Sequence, residues 1–152
     1  MKERNTFKEA AFELIAMRFI LEADEETRIK FASLENTPPE ILAKLANDES
    51  YDVCDSAIRN PNMPVKFIEE ILEDEYADEE QLRSVADSLF TPVKIIEKLA
   101  KNDSWYVRYG VAENPRTPIE ILKKFAEDEE EENSVREAAM ENIASRPQKV
   151  HD

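Results

Sequence analysis

A chain of 152 residues with a formal net charge of −15 is long enough to form one globular domain with a buried core. The acidic balance argues against binding to phosphate backbones or to anionic lipid headgroups, because like charges repel. Gly110 is the only glycine, which excludes Gly-rich phosphate loops and disfavours tight β-hairpins. The composition therefore favours helices joined by turns that contain proline and asparagine.

The first predicted helix is apolar, yet it lacks the pattern of a targeting or membrane segment. Its longest apolar stretch, residues 10–21, is interrupted by Glu13 and Arg18, so we expect neither a secretory signal nor a transmembrane helix. Cys54 is the only cysteine, which excludes an intrachain disulfide and fits a reducing compartment. The cytoplasm is the predicted location.

Four prolines mark a repeat along the rest of the chain. They lie 26, 28 and 26 residues apart: Pro38, Pro64, Pro92 and Pro118. Each predicts the start of a helix, because proline is tolerated at the first helical position. Thr37 and Thr117 precede two of these prolines, and Glu40 and Glu120 follow at the spacing of a capping box. Both threonines are therefore predicted to cap the helices that follow them.

Apolar pairs follow each proline at fixed distances, three and seven residues on. The pairs are Ile41 and Leu45, Phe67 and Ile71, Ile95 and Leu99, and Ile121 and Phe125. Ile15 and Phe19 imitate this spacing in the first helix. Because residues four apart share one face of a helix, the pairs predict buried helix faces.

A second helical segment follows the first in each unit. These segments cover residues 27–32, 53–58, 82–86, 107–112 and 135–140. The alignment places Cys54 where other units have Arg83, Arg108 and Arg136. Glycine in a helix costs about 1 kcal/mol relative to alanine, so Gly110 predicts tight packing against a neighbouring unit. A unit this short cannot bury its own apolar face, and stacking must supply the core.

The repeated pattern is Asn-Pro-x-Thr-Pro-x-Glu-Ile-Leu-x-x-Leu-Ala-x-Asp, accompanied by Val-Arg-x-x-Val-Ala-x-Asn-Pro. Best matched by residues 107–128, it resembles the leucine-rich repeat variant family over roughly residues 12–145. The resemblance implies a right-handed superhelix of α-helices and short 3₁₀-type helices, similar in shape to HEAT and armadillo solenoids. Some members hold an N-terminal iron–sulfur cluster with several cysteines, and Cys54 alone cannot do so. The family has no single activity, so the resemblance predicts fold better than function.

The predicted fold is therefore all-α: a right-handed α/α superhelical solenoid of about five short degenerate repeats. Each repeat is expected to hold an α-helix and a shorter helix or 3₁₀ segment. Residues 1–146 are predicted to form a single repeat domain, and residues 147–152 a disordered C-terminal tail. Two departures from the family pattern stand out: Ser88-Leu89-Phe90 in place of an Asn-Pro turn, and an acidic insertion in the last unit.

No catalytic, cofactor-binding or metal-binding residue is predicted. His151 is the only histidine and lies in the predicted tail, so Ser–His and Cys–His schemes lack a positioned base. A zinc site lacks ligands, and no EF-hand spacing with its central glycine is present. Carboxylate pairs are too plentiful to indicate acid–base chemistry. The sequence therefore predicts a protein that is not an enzyme and carries no cofactor.

Acidic residues concentrate in the turns between the two segments of each unit. They include Glu22, Asp24–Glu26, Asp48, Glu49, Asp52, residues 73–75, residues 78–80 and residues 127–132. Stacking would gather these turns into one negatively charged edge. The edge either keeps the protein soluble or steers a basic partner, and in the second case Glu79, Glu80, Glu129 and Glu130 are candidate contacts.

Aromatic residues open one of the second segments. Trp105, Tyr106 and Tyr109 lie there, and Tyr51 holds the position of Trp105 in an earlier unit. They either pack between units or form a binding hot spot, for which Trp and Tyr are the preferred residues. Arg108 either anchors a partner or pairs with the acidic edge. Cys54 has no basic neighbour in sequence and is expected to be a buried apolar residue.

Together these patterns predict a protein–protein interaction module whose second helices face a basic partner protein. A structural homo-oligomer is the first alternative, since the first helix is apolar enough to stack end to end through Phe7, Ala11, Phe12, Ile15 and Phe19. A HEAT-like DNA-repair glycosylase is the second, and it needs a cationic concave face that the net charge disfavours. Neither nucleic acid nor membrane is an expected partner.

Overall fold

The computed structural model describes residue 15, residues 17–75 and residues 77–147. All regular structure in this part of the chain is helical, without a strand, so the predicted all-α class is confirmed. The predictions for Phe7, Ala11 and Phe12 of the first helix, and for His151 and the rest of the tail beyond Pro147, concern residues outside the described part.

The chain divides into two compact units, the first ending at Pro64 and the second beginning at Val65. In the first unit, residues 17–21 are helical and are followed by α1 (Glu25–Ser33), α2 (Pro39–Leu45) and α3 (Tyr51–Ile58). The second unit contains α4 (Val65–Glu73), α5 (Glu79–Asp87), α6 (Val93–Leu99), α7 (Trp105–Glu113), α8 (Ile119–Glu127) and α9 (Asn133–Ser145). The even-numbered helices follow the prolines, and the odd-numbered helices are the second helices of the repeats.

The prolines lie one residue earlier than predicted, at the N-cap. Pro38, Pro92 and Pro118 have φ values of −57°, −60° and −54°, and the helix begins at the next residue. The N-cap takes part in the helix through its carbonyl, as where the Pro38 carbonyl accepts from Leu42 N at 3.1 Å. The missing N–H of proline therefore costs the helix no hydrogen bond.

The threonines before the prolines do not cap the helices that follow, so the capping-box prediction for Thr37 and Thr117 is wrong. The hydroxyl of Thr37 donates to the Phe31 carbonyl at 2.5 Å, and that of Thr117 to the Val111 carbonyl at 2.6 Å. Thr91 makes the same bond to the Val85 carbonyl. Since proline occupies the N-cap, each threonine lies outside the helix and ties the turn back to the preceding second helix.

The second helices are not the shorter members of the repeat, contrary to the prediction. α1, α5 and α7 have nine residues each, α3 has eight and α9 thirteen, whereas α2 and α6 have seven. In α1 and α5 the first turn begins with two glutamates, Glu25-Glu26 and Glu79-Glu80, so the apolar pattern missed it. Asp24, Asp78 and Ser104 cap α1, α5 and α7 by accepting from backbone N–H groups, which starts each helix before its apolar stretch.

The apolar faces pack within each unit. The residue seven after each proline is buried as predicted: Leu45, Ile71, Leu99 and Phe125. The residue four after each proline is also buried, and the predicted pairs omitted it: Leu42, Ile68, Ile96 and Leu122. Of the residues predicted three after the prolines, Ile41 and Ile95 are buried, whereas Phe67 and Ile121 are only half-buried. Ile15 and Phe19, which imitate the pairs, are exposed. Neighbouring second helices pack side by side, α1 against α3 in the first unit, and α5 against α7 and α7 against α9 in the second.

Asparagine side chains join these neighbouring second helices. We call Asn60, Asn114 and Asn142 the asparagine clamps; all three are buried. Asn114 Nδ2 donates to the Ala86 carbonyl at 2.7 Å and to the Ser88 carbonyl at 3.0 Å, both at the end of α5. The last carbonyls of a helix have no partner inside it, so the clamp satisfies groups that packing has removed from water.

The same geometry recurs at the other two clamps. Asn60 Nδ2 donates to the Ala32 and Leu34 carbonyls at 2.7 and 2.8 Å, and Asn142 Nδ2 to the Ala112 and Asn114 carbonyls at 2.7 and 2.9 Å. Each clamp thus connects the end of one second helix to the end of the preceding one.

Replacing Asn114 with alanine is expected to lower the free energy of unfolding by about 2–4 kcal/mol. Two buried carbonyls lose their donor, and each costs about 1–3 kcal/mol when left without a partner. Urea unfolding followed by circular dichroism measures the change. Asn133→Ala, at an exposed position in the same unit, is the matched control and should shift stability by less than about 0.5 kcal/mol. Equal stability of the two variants would contradict the role given to the clamp.

Candidate functional site

Two arginines of the second helices form ion pairs inside the units. In the first unit, Arg28 Nε and Nη2 donate to the two carboxylate oxygens of Asp48 at 2.8 and 2.9 Å, and Nη1 donates to the Ala23 carbonyl at 2.7 Å. The two side chains are 11% and 8% exposed. The guanidinium therefore links the turn before its own helix to the turn before the next second helix.

Arg108 repeats this arrangement in the second unit. It donates to both carboxylate oxygens of Glu131 at 2.7 and 2.6 Å, and Nη1 donates to the carbonyls of Asn102 and Asp103. These hydrogen bonds raise the pKa of Arg108 and lower the pKa of Glu131 from their ordinary values. Of the two interpretations of Arg108, pairing with an acidic turn is the one that the geometry supports.

Besides the N-caps Asp24 and Asp78, the acidic turns contain carboxylates that pair with arginines and carboxylates that face solvent. Asp48 and Glu131 are nearly buried and pair with arginines, a role that the sequence patterns did not reveal. Glu79 and Glu80 are exposed in the first turn of α5, and Glu129 and Glu130 are exposed in the turn between α8 and α9. The four glutamates that were predicted as partner contacts thus face solvent, and their binding role stays a prediction.

Two of the predicted aromatic residues of α7, Tyr106 and Tyr109, lie against the side chain of Arg83, which comes from α5. The ring of Trp105 is half exposed and meets the ring of Tyr106 edge-on at 5.8 Å, with 72° between the planes. The guanidinium carbon of Arg83 lies 5.4 Å from the ring centroid of Tyr106 and 5.0 Å from that of Tyr109. Both distances are within the range of cation–π attraction. We call Arg83, Trp105, Tyr106 and Tyr109 the aromatic cluster.

Carboxylates anchor the aromatic cluster at its edge. Arg83 Nη2 donates to Glu113 Oε2 at 2.7 Å and Nη1 to Asp87 Oδ2 at 2.9 Å. The hydroxyl of Tyr109 donates to the other oxygen of Glu113 at 2.9 Å, and this bond raises the pKa of Tyr109. Arg83 and Tyr109 are thus held in place by hydrogen bonds within the chain.

Arg83 is not the repeat equivalent of Arg108, and the alignment that paired them was wrong by one residue. Arg28, Cys54 and Arg108 each lie ten residues before the proline of the next helix, whereas Arg83 lies nine before Pro92. Leu82 holds the equivalent position. The shift turns the Arg83 side chain away from the acidic turns and towards α7, where it meets the aromatic rings.

Gly110 allows this approach, as the sequence predicted. A Cβ atom at this position would lie 2.7 Å from Arg83 Cδ and 3.1 Å from Ala86 Cβ, both on α5. The shorter distance would force the Arg83 side chain to shift and the longer one is tighter than most carbon contacts, so glycine favours the close approach of α7 to Arg83.

Tyr51 begins α3 as Trp105 begins α7, and it too is exposed. It belongs to the first unit, where it lines an open depression of about 440 Å³ with Glu25, Arg28 and Glu49. Cys54 is buried, as predicted, and its Sγ lies 3.0 Å from the Asp48 carbonyl. The structure places the other predicted contacts, from Glu79 to Glu130, in the second unit.

Neither a candidate metal site nor a candidate membrane span is found among the described residues. No three His, Cys, Asp or Glu side chains among the described residues gather into a possible metal site. None of the helices that these residues form is both long and apolar enough to cross a membrane. Comparison of the chain with protein-family models, curated proteins and solved structures found no match.

A double-mutant cycle tests the contact between Gly110 and Arg83. Gly110→Ala gains about 1 kcal/mol of helix propensity, but overpacking costs about 1–3 kcal/mol, so we expect a net loss of unfolding free energy. In an Arg83→Ala background the nearest obstacle is gone, and the same change should be neutral or stabilising. We expect a coupling of about 1–2 kcal/mol in urea unfolding. As a control, Gly110→Ala and Arg116→Ala should be additive, and additivity with Arg83→Ala would contradict the contact.

Glu131→Gln is expected to lower the free energy of unfolding by about 2 kcal/mol at pH 7, between the values typical of exposed and of buried pairs. Because folding lowers the pKa of Glu131, its ionised form stabilises the native state above the ordinary carboxyl range. That advantage is lost as the pH falls from about 5 through the lowered pKa. Urea unfolding at about pH 7 and pH 3 should therefore show a difference between wild type and variant that shrinks in acid.

The exposed pair of Lys66 and Glu70 supplies the control for this experiment. Its side chains are 86% and 55% exposed, so Glu70→Gln should change stability by less than about 0.5 kcal/mol at either pH. A Glu131→Gln effect as small as that of Glu70→Gln, or one unchanged between the two pH values, would show that the buried ion pair does not stabilise the fold through its charge.

Proposed function

We propose that this chain is a non-catalytic protein–protein interaction module that binds a basic protein through its second helices. The observation that carries the proposal is the half-exposed Trp105 ring, packed edge-on against Tyr106 on the surface of α7. Trp and Tyr dominate binding hot spots because they bury a large area for little loss of conformational freedom. The proposal includes the leucine-rich repeat variant resemblance and its right-handed solenoid.

The side chains of the aromatic cluster are already fixed by contacts within the chain, which favours binding. Arg83 lies against Tyr106 and Tyr109, and Glu113 anchors both Arg83 and Tyr109. Side chains that are already held in one rotamer lose little entropy when a partner binds. Trp105 then supplies apolar area on a rigid base.

The charge around the aromatic cluster favours a basic partner. Glu79 and Glu80 occupy in α5 the positions that Trp105 and Tyr106 hold in α7, and α5 packs against α7. Complementary charge at the rim of an interface raises the association rate and selects the partner. Residence in the cytoplasm, absence of a cofactor and absence of catalysis belong to the same proposal.

A structural homo-oligomer is the second candidate. Ile15 and Phe19 in the first unit are each 68% exposed, which is unusual for large apolar side chains. Self-association through these residues would cover them.

Affinity capture from a cell lysate tests the interaction module. Wild type should retain a basic protein at about 0.1 M salt and lose it at about 1 M, where the Debye length falls from about 10 Å to about 3 Å. Trp105→Ala should reduce the retained amount at least about tenfold, the usual effect of losing a hot-spot residue. Val65→Ala, which truncates a comparably exposed apolar side chain in α4, a helix that is not a second helix, should leave capture unchanged.

Two results would reject the module. One is capture that does not differ between wild type and Trp105→Ala, and the other is capture that grows at high salt. Sedimentation of the purified chain, with Phe19→Glu as the variant, examines the second candidate in parallel. An assembly that dissociates in Phe19→Glu while no basic protein is retained would favour the homo-oligomer.

A further inference from the structure

The buried ion pairs identify one position of the repeat at which two units carry an arginine. Ten residues before the proline of the next helix, Arg28 and Arg108 extend between two successive turns. Each guanidinium donates to a backbone carbonyl in the turn before its own helix and to a carboxylate in the turn before the next second helix. The groove between these turns is therefore built to accept a guanidinium.

In α5 this position holds Leu82, and its expected partner has changed as well. Asn102 lies twenty residues after Leu82, as Asp48 lies twenty after Arg28. The Oδ1 atom of Asn102 accepts from Ser104 N at 2.9 Å, just as Asp48 Oδ1 accepts from Ser50 N at 2.9 Å. The backbone of the turn is thus preserved while the arginine and the carboxylate are both replaced by neutral side chains.

An open cleft of about 510 Å³ lies at this position in the second unit. Its lining includes Asp74, Ala77, Leu82, Asn102 and Asp103. The volume is within the range of small-molecule sites and accommodates a guanidinium with its aliphatic stem. We call this space the Leu82 cleft.

We propose that the Leu82 cleft binds an arginine side chain of the partner protein, in the place that Arg28 and Arg108 fill elsewhere in the repeat. The Ala77 carbonyl corresponds to the Ala23 carbonyl, which accepts from Arg28, and to the Asp103 carbonyl, which accepts from Arg108. The side chain of Leu82 has no N–H group that could donate to the Ala77 carbonyl. The inference rests on the proposed function, because it names the group of a basic partner that this unit recognises.

The remaining acceptors suit a guanidinium better than an ammonium group. Asp103 corresponds to Glu49, whose Oε1 lies 3.9 Å from Arg28 Nη2, and the Oδ1 of Asn102 corresponds to an oxygen that accepts from Arg28. Lys98 and Lys101 also line the cleft, so it has little net charge to attract a point cation. The planar guanidinium has five donors and can use carbonyl, amide and carboxylate oxygens together.

The first experiment uses N-acetyl-arginine amide as the probe and needs no partner protein. We expect saturable shifts of the backbone amide signals of Leu82, Asn102 and Asp103 in ¹H–¹⁵N spectra, with a Kd of about 1–10 mM, as is usual for one side chain. N-acetyl-citrulline amide has nearly the same shape without the charge and should produce no saturable shift. Absence of saturable shifts with the arginine probe up to about 50 mM, or equal shifts with both probes, would overturn the proposal.

Two double variants test the location of the probe: one fills the Leu82 cleft in the second unit, and the other opens the equivalent position in the first unit. Leu82→Arg with Asn102→Asp rebuilds the pair of Arg28 and Asp48, so it should fill the cleft and abolish the probe-induced shifts. Arg28→Leu with Asp48→Asn should open an equivalent cleft in the first unit and add saturable shifts at Ala23. Shifts that persist in Leu82→Arg/Asn102→Asp would place the probe elsewhere and reject the Leu82 cleft.

Failure of this proposal is separable from failure of the proposed function. Salt-sensitive capture that depends on Trp105, without probe binding, would retain the interaction module and remove the arginine cleft. Probe binding at the Leu82 cleft without any captured protein would retain the cleft and remove the module.

Discussion

The side-chain amide of the asparagine clamp is the interaction on which the repeat depends. Its two N–H groups reach two carbonyls at the end of the preceding second helix, groups that would otherwise be buried without a partner. Hydrophobic packing alone permits neighbouring helices to slide, whereas two directional bonds set their register. With that register in place, the turn before each helix meets the arginine that bonds to it, and Gly110 meets Arg83.

Because the asparagine clamps set this register, the side chain ten residues before each proline can vary. It is arginine in α1 and α7, cysteine in α3 and leucine in α5. Arg108 and Cys54 reach a carbonyl in the turn before their own helix, and Leu82 does not need to, since the clamps hold α5 and α7 together. A scaffold that tolerates such changes can vary its surface without losing its fold.

The sequence was sufficient for features that repeat locally. The prolines and the apolar residues after them predicted the alternation of helices. A glycine inside a predicted helix indicated the close packing that the structure shows at Gly110. The bonds of the asparagine clamps, which join residues 26 to 30 positions apart, were out of reach, as with Asn114 and Ala86. For Arg108, pairing with the acidic edge was one of two interpretations, and the sequence did not identify Glu131 as the partner. The Arg83 error has a different origin: an arginine one residue from the expected place was taken as the match, although its distance of nine residues from Pro92 already marks the shift. Its contacts with Tyr106 and Tyr109 show what the shift does.

The buried ion pairs also determine which charges remain on the surface. Arg28 and Arg108 are largely buried, and each buries one carboxylate beside it. Because each pair is neutral, the net charge of −15 comes from the other charged residues. In the proposed function, a partner that approaches the second unit meets the glutamates of α5, the Trp105 ring and the acceptors around Leu82. Each of these three features is better satisfied by arginine than by lysine, because guanidinium stacks on aromatic rings as well as bonding to oxygen. The arginine content of a partner, more than its net charge, should therefore decide how well it fits this unit.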